Sequence, residues 1–81
     1  MKYHYYCKTR VGTFWIKPQP QTPGRFWLGI DYTPLGSFAT ARMAADDMYM
    51  HVTGWDEWDS LDGTEDGPAD LSEWHRGIPD R

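Results

Sequence analysis

The sequence predicts an α+β domain: a three- or four-stranded antiparallel sheet packed on one α-helix, followed by an acidic, Trp-rich tail of short helical turns. Three observations carry this. Apolar and polar side chains alternate in short aromatic runs up to residue 31, the mark of half-buried strands. From residue 41 the spacing changes to i, i+3, i+4, the mark of an amphipathic helix. Beyond Gly54 neither period is sustained, and carboxylates and tryptophans dominate.

The 81 residues amount to one domain, with residues 1–54 as sheet–helix core and residues 55–81 as a tail packed on it. At this size folding buries only about 60 to 65% of the unfolded chain's surface, so the core must be rich per residue. Five Trp, five Tyr and three Phe supply that richness, because each large aromatic removes about 150 to 250 Å² from water. Cys7 stands alone and forms no internal disulfide, which points to a reducing compartment. No apolar run follows Lys2 and none reaches the length of a membrane span, so a soluble, cytoplasmic monomer without a signal peptide is expected.

Taken in order, residues 3–10, "YHYYCKTR", form a first strand, and "VG" at 11 and 12 turns it back onto "TFWIKPQ". The run "PQPQTPG", 18–24, holds three prolines and a glycine and reads as an extended loop. "RFWLGID", 25–31, is the third strand, and "DYTPLG" a bend with room for a short fourth. Ala41, Ala44, Ala45, Met48, Tyr49 and Val52 then make the buried stripe of the helix. Ser37 or Thr40 is its N-cap and Gly54 its C-terminal stop. Further on, Trp55, Trp58 and Leu61 suit one or two helical turns, and Asp70 with Glu73 suits a capping box for a turn carrying Leu71 and Trp74.

Side chains alternate across a strand, so the sheet divides into two faces. Tyr5, Cys7, Phe14, Ile16, Phe26, Leu28 and Ile30 form an apolar core face. Tyr6, Lys8, Arg10, Trp15, Lys17, Arg25 and Trp27 form a face of aromatics and cations, the candidate binding surface. Charge is also divided along the chain. Residues 1–42 carry six cations against Asp31, a balance of +5, while residues 43–81 carry two against eleven carboxylates, a balance of −9. The two parts either attract each other or address separate partners.

The stretch "DGTEDGPADLSE", 62–73, scans as a calcium loop. Asp62, Thr64, Asp66, the Pro68 carbonyl, Asp70 and Glu73 take the ligand positions, with Gly67 at the turn. Against this, Ala69 replaces the usual larger aliphatic, no second loop exists, and Gly77 and Pro79 leave about one turn of exit helix. An acidic connector is the reading adopted, with no cofactor or metal. His4, Cys7, His51 and His75 would have to converge for zinc, yet the H-x-x-C spacing on a strand puts His4 and Cys7 on opposite faces. No nucleophile, phosphate loop or acid–base pair stands in a catalytic context, so no enzyme is expected. Asp46 and Asp47 read as a solvated helix face, and Asp47 with His51 as an i, i+4 pair.

The runs "RFWLG", 25–29, and "LGSFATARMAA", 35–45, resemble pieces of the plant ethylene-response-type DNA-binding domain, and the plan is similar to the arm-binding domain of phage-type tyrosine recombinases. The resemblance implies a three-stranded sheet on one helix, with the exposed sheet face applied to DNA. Arg25 and Trp27 match the family's third-strand residues, Trp15 is a counterpart of its second-strand tryptophan, and Leu35, Gly36, Phe38, Thr40, Ala41, Ala44 and Ala45 match the helix entry. The family's single Leu-Gly is matched twice, so "IDYTPLG" behaves as a seven-residue insertion. The whole chain also resembles a small bacterial protein family with which no activity is associated.

Two functions follow as expectations. A non-enzymatic module would bind a protein partner through its aromatic surface. Alternatively the basic aromatic face binds nucleic acid, a use that the negative net charge opposes. The tail is expected to lie over that face as an internal clasp, setting Trp55, Trp58 and Trp74 against Trp15, Trp27 and Tyr6 and masking the site.

Overall fold

The computed structural model describes residues 5–77. Along the chain run β1 (Tyr5–Thr9), β2 (Gly12–Pro18), β3 (Phe26–Ile30), β4 (Thr33–Phe38), α1 (Ala41–Tyr49), the one-turn α2 (Asp56–Asp59), a 3-10 turn over Leu71–Glu73, and β5 (His75–Arg76). The antiparallel α+β arrangement is as expected, but the sheet has five strands in the order β4-β3-β2-β1-β5. The two residues of β5 pair with Tyr5 and Tyr6 at the edge of β1. Two residues carry too little alternation to announce a strand, so β5 was invisible to pattern and exists because the chain beyond Trp74 is led back to that edge. Position 3 of the expected first strand, and His4 of the H-x-x-C pair, lie outside the described residues.

β1 and β2 form a tight hairpin. Thr9 pairs with Gly12, so the turn falls on Arg10 and Val11, one residue earlier than expected. Thr9 holds it: its hydroxyl donates to the Gly12 carbonyl at 2.8 Å and accepts from the Val11 N–H at 3.2 Å. Gly12 is needed here, since φ is +148° and a Cβ would stand 2.6 Å from Asp31 Oδ2. The β2–β3 loop is the expected Pro-rich connection, although Pro18 itself still pairs with Phe26. Arg25 ties that loop to β4, donating from Nε to Ser37 Oγ at 2.8 Å and from Nη2 to the Ser37 carbonyl at 3.0 Å. Ser37 Oγ in turn donates a hydrogen bond to Gln19 Oε1.

The segment expected as an insertion is the β3–β4 hairpin. Ile30 pairs with Thr33 across a two-residue turn of Asp31 and Tyr32, with Asp31 in the left-handed region at φ 49°. A bulge follows. Leu28 faces Gly36 but Gly29 faces Pro34, which leaves Leu35 as the extra residue. Pro34, opposite Gly29, lies on the open face, and the bulge puts Leu35, which packs against the core, on the same side as Gly36 opposite Leu28.

Phe14, Ile16, Leu28 and Ile30 are fully buried beneath α1, with Tyr5, Cys7 and Phe26 packed beside them, so the apolar face is the one the alternation specified. Burial pushes the Cys7 thiol up, away from the reactive thiolate. Thr40 caps α1 by accepting from the Met43 N–H, whereas Ser37 lies in β4. Ala44, Ala45 and Met48 are buried and allow the helix to lie on β2, β3 and β4.

The helix is shorter than its stripe suggested. It closes at Tyr49, and Tyr49 and Val52 are exposed. Its stop is His51 rather than Gly54: His51 takes φ 59°, its N–H reaches the Met48 carbonyl, and the Val52 N–H reaches the Asp47 carbonyl. That is a Schellman closure with histidine in the glycine position. The left-handed conformation is held because the imidazole is buried and stacked on the Trp58 indole at 4.6 Å.

The tail belongs to the core, on the side opposite the one expected. Trp58 is 1% exposed, meets Phe14 edge-on at 5.5 Å, and donates its indole N–H to the Met48 carbonyl at 2.9 Å. Trp74 is buried in the same cluster, with Trp55, Leu61 and Leu71 against it. The expected clasp over the basic face is therefore replaced by a second layer beside α1. The physical reason is area: a nine-residue helix rich in alanine cannot cover the apolar face of this sheet, and the indoles fill what it leaves. Burying one such ring contributes about 4 to 6 kcal/mol by area, as an upper bound.

Candidate functional site

With the tail committed to the apolar side, the opposite face stays open among the described residues. Its geometry comes from cross-strand register. Tyr6 faces Trp15, which faces Gly29; Lys8 faces Thr13; Lys17 faces Trp27. Five of the seven expected residues, Tyr6, Lys8, Trp15, Lys17 and Trp27, thus share one face. Arg25 sits at its margin, engaged with Ser37. Arg10 is drawn off it to Glu65 of the tail, at 2.9 Å between Nε and Oε1. The turn position frees Arg10 from strand alternation, so parity could not place it.

Trp15 is the floor. Although on the open side, it is only 5% exposed, because the ring lies flat over Gly29. A Cβ there would stand 2.1 Å from Trp15 Cζ2, so only glycine fits. The Trp15 indole N–H donates to the Asp31 carbonyl at 2.7 Å. Asp31 holds the turn to β2 as well: its Oδ1 accepts from the Thr13 N–H at 3.0 Å and its own N–H donates to the Thr13 carbonyl at 2.9 Å. The Lys17 ammonium rests 4.8 Å from the Trp15 ring centroid, a cation–π contact.

Around this floor Trp15, Lys17, Trp27, Asp31, Tyr32 and Pro34 enclose an open cleft of about 350 Å³. Tyr32 at the hairpin tip is 98% exposed, an unusual state for so large a ring. Tyr6 and His75 stack at 5.1 Å farther along the face, where β5 joins the sheet. Asp31, Tyr32 and Pro34 were missed because "DYTPLG" read as a bend. The signal was weak: Asp31–Tyr32 is not one of the glycine-containing pairs that announce a two-residue hairpin turn, whose tip flanks the face of the strands it joins.

The carboxylates of residues 62–73 do not converge. Asp70 caps the 3-10 turn through the Ser72 N–H and hydroxyl, Glu73 accepts from the Ala69 N–H, Glu65 pairs with Arg10, and Asp62 Oδ1 lies 3.7 Å from His51 Nδ1. Among the described residues no three His, Cys, Asp or Glu side chains gather as a metal site. The bond from Ser72 is also what holds the Asp70 carboxyl below its ordinary range. His51 faces Asp62, and Asp47 is not its ionic partner.

No family model, curated protein or solved structure matches this chain significantly. No helix among the described residues is long and apolar enough to cross a membrane.

Proposed function

We propose that this protein is a small, non-enzymatic interaction module whose open sheet face receives an extended segment of a partner protein. The observation that carries the reading is the cleft: two tryptophans, a fully exposed tyrosine and a proline around one lysine. Aromatic side chains held rigid on strands give large contact area at low entropic cost, the composition of binding hot spots. Trp15 packs on Gly29 and is tied by its indole N–H to the Asp31 carbonyl, and Trp27 stands on the same strand as Gly29. Edge pairing is a poorer route. β4 carries Pro34 and a bulge, and β5 is two residues long, so each edge is blunted against strand addition.

A peptide library displayed against the immobilised protein tests this. Enriched sequences should bind the wild type and lose binding to Trp27→Ala and Tyr32→Ala. Enrichment indifferent to both substitutions would place binding elsewhere and end the proposal.

A second reading, nucleic-acid binding through Tyr6, Lys8, Lys17 and Trp27, is favoured by one observation. The tail packs on the far side of the sheet and so does not mask these residues. Against it, Arg10 and Arg25 are engaged elsewhere, and the remaining cations are few for a phosphate chain. A short oligothymidine binding with a steep salt dependence and losing affinity in Lys8→Gln would support it.

A further inference from the structure

Resting on the peptide-binding reading, we infer that the cleft takes a proline-rich extended segment bearing acidic residues. The cleft wall carries donors: the exposed Tyr32 hydroxyl and the Trp27 indole N–H, which bonds to nothing among the described residues. Two of the Asp31 acceptors are taken up within the sheet. Asp31 uses Oδ1 on the Thr13 N–H and its carbonyl on the Trp15 indole.

A wall of donors and flat rings selects a ligand with many acceptors and few donors. An ordinary extended peptide brings one N–H for each carbonyl, and those N–H groups would lose water without gaining a partner. Proline removes the N–H and keeps the carbonyl. A run of prolines also arrives as a preformed left-handed helix with solvated carbonyls, so little chain entropy is lost on docking in an aromatic groove. The rings of Trp27 and Tyr32 offer the apolar faces against which pyrrolidine rings pack, and Pro34 adds a wall that itself carries no N–H.

Charge specifies the rest. Lys8 and Lys17 lie on this face, while the acidic residues that pack as the tail occupy the other side of the sheet. A carboxylate beside the prolines would meet the Lys8 and Lys17 ammonium groups of this face. A polyanion gains less. Two face lysines answer few phosphates of a long chain.

The test follows Trp27 indole and Tyr32 amide resonances of the labelled protein during additions of synthetic peptides. The probe has about six prolines followed by about two glutamates, enough for roughly two turns of polyproline helix. It should move both resonances to saturation. A Gly-Ser peptide with the same glutamates should bind at least about tenfold more weakly, and the proline peptide ending in lysines several-fold more weakly. Tyr32→Ala, a change at a fully exposed position, should abolish the shifts while leaving the melting curve intact. Equal binding of the Gly-Ser peptide, or no shift with the proline peptide at millimolar concentration, overturns the inference. If displayed peptides still need Trp27 and Tyr32 in that case, the module reading stands and only the proline assignment falls. If oligothymidine alone moves these resonances, both fall.

Discussion

The two faces of this sheet are built from similar residues and end in opposite states. Phe14, Ile16, Leu28 and Ile30 on one face lie under α1 and the indoles of Trp58 and Trp74. Trp15, Lys17 and Trp27 on the other look into an open cleft. Tryptophan as a type decides nothing about which state results. What decides it is what the facing layer can cover. The apolar face lacks cations and accepts indoles that have almost no other place to go. The opposite face interleaves lysines with its rings, and a lysine covered by the tail would have to give up water. An acidic tail could have answered those charges, but only by leaving the apolar face partly bare.

The comparison breaks most directly by removing the second layer. Truncation after Gly54 deletes Trp58, Trp74 and β5, and we expect loss of the cooperative thermal transition, not a folded core with a newly exposed binding face. Trp58→Ala alone removes the ring, its contact with Phe14, its stack with His51 and its bond to Met48. A loss of about 3 to 5 kcal/mol by denaturant unfolding is expected, a large part of the stability of so small a domain.

On the open face the largest effect should come from a residue with no side chain. Gly29→Ala drives a methyl into the Trp15 ring. It should cost about 1 to 3 kcal/mol and, by tilting Trp15, weaken peptide binding as well. Trp27→Ala with Tyr32→Ala sharpens the contrast. Together these should change stability by about 1 kcal/mol or less and remove binding, the reverse of Trp58→Ala measured by the same two assays.

The smallest effects concern two carboxylates of the covered side, and their signs differ. Burial, with Asp46 and Asp59 nearby, raises the Asp47 carboxyl above its ordinary value. Its ionised form is therefore disfavoured by folding, and stability from this group rises as pH falls through its folded pKa. It also stands near the C-terminal, negative end of α1, so Asp47→Asn should stabilise by about a few tenths of a kcal/mol at neutral pH. Asp70 is lowered by its bonds from Ser72. Its contribution is present above the unfolded carboxylate pKa and is lost as pH falls toward the folded one, so Asp70→Asn should flatten the acid limb of the stability curve. Thermal melts across the acid range separate the two.

Much of this was legible in the sequence because period-2 alternation is a local property. The core face, the Pro-rich loop, the Thr40 cap and the Asp70–Glu73 turn all follow from neighbours a few residues apart. Three features were not legible, each for a stated reason. The side of the sheet that the tail covers depends on how much apolar area α1 leaves, a sum over distant residues. His51 as a helix stop depends on Trp58 stacking on it, seven positions later, which offsets the strain of a left-handed histidine. The cleft needed the β3–β4 hairpin: a short fourth strand after the bend was expected, but the Asp31–Tyr32 turn and Leu35 bulge interrupt the alternation that would have put Asp31, Tyr32 and Pro34 beside the open face.

Hydrogen exchange of the tryptophan indole N–H groups tests the placement of the two layers most directly. With the tail on the apolar side, Trp58 should exchange slowest, through global unfolding, and Trp27 at close to the rate of a solvated indole. Trp15, bonded to the Asp31 carbonyl beneath an open cleft, should fall between them. A Trp27 indole as protected as that of Trp58 would mean that the tail, or another part of the chain, lies over the cleft, and would contradict this account.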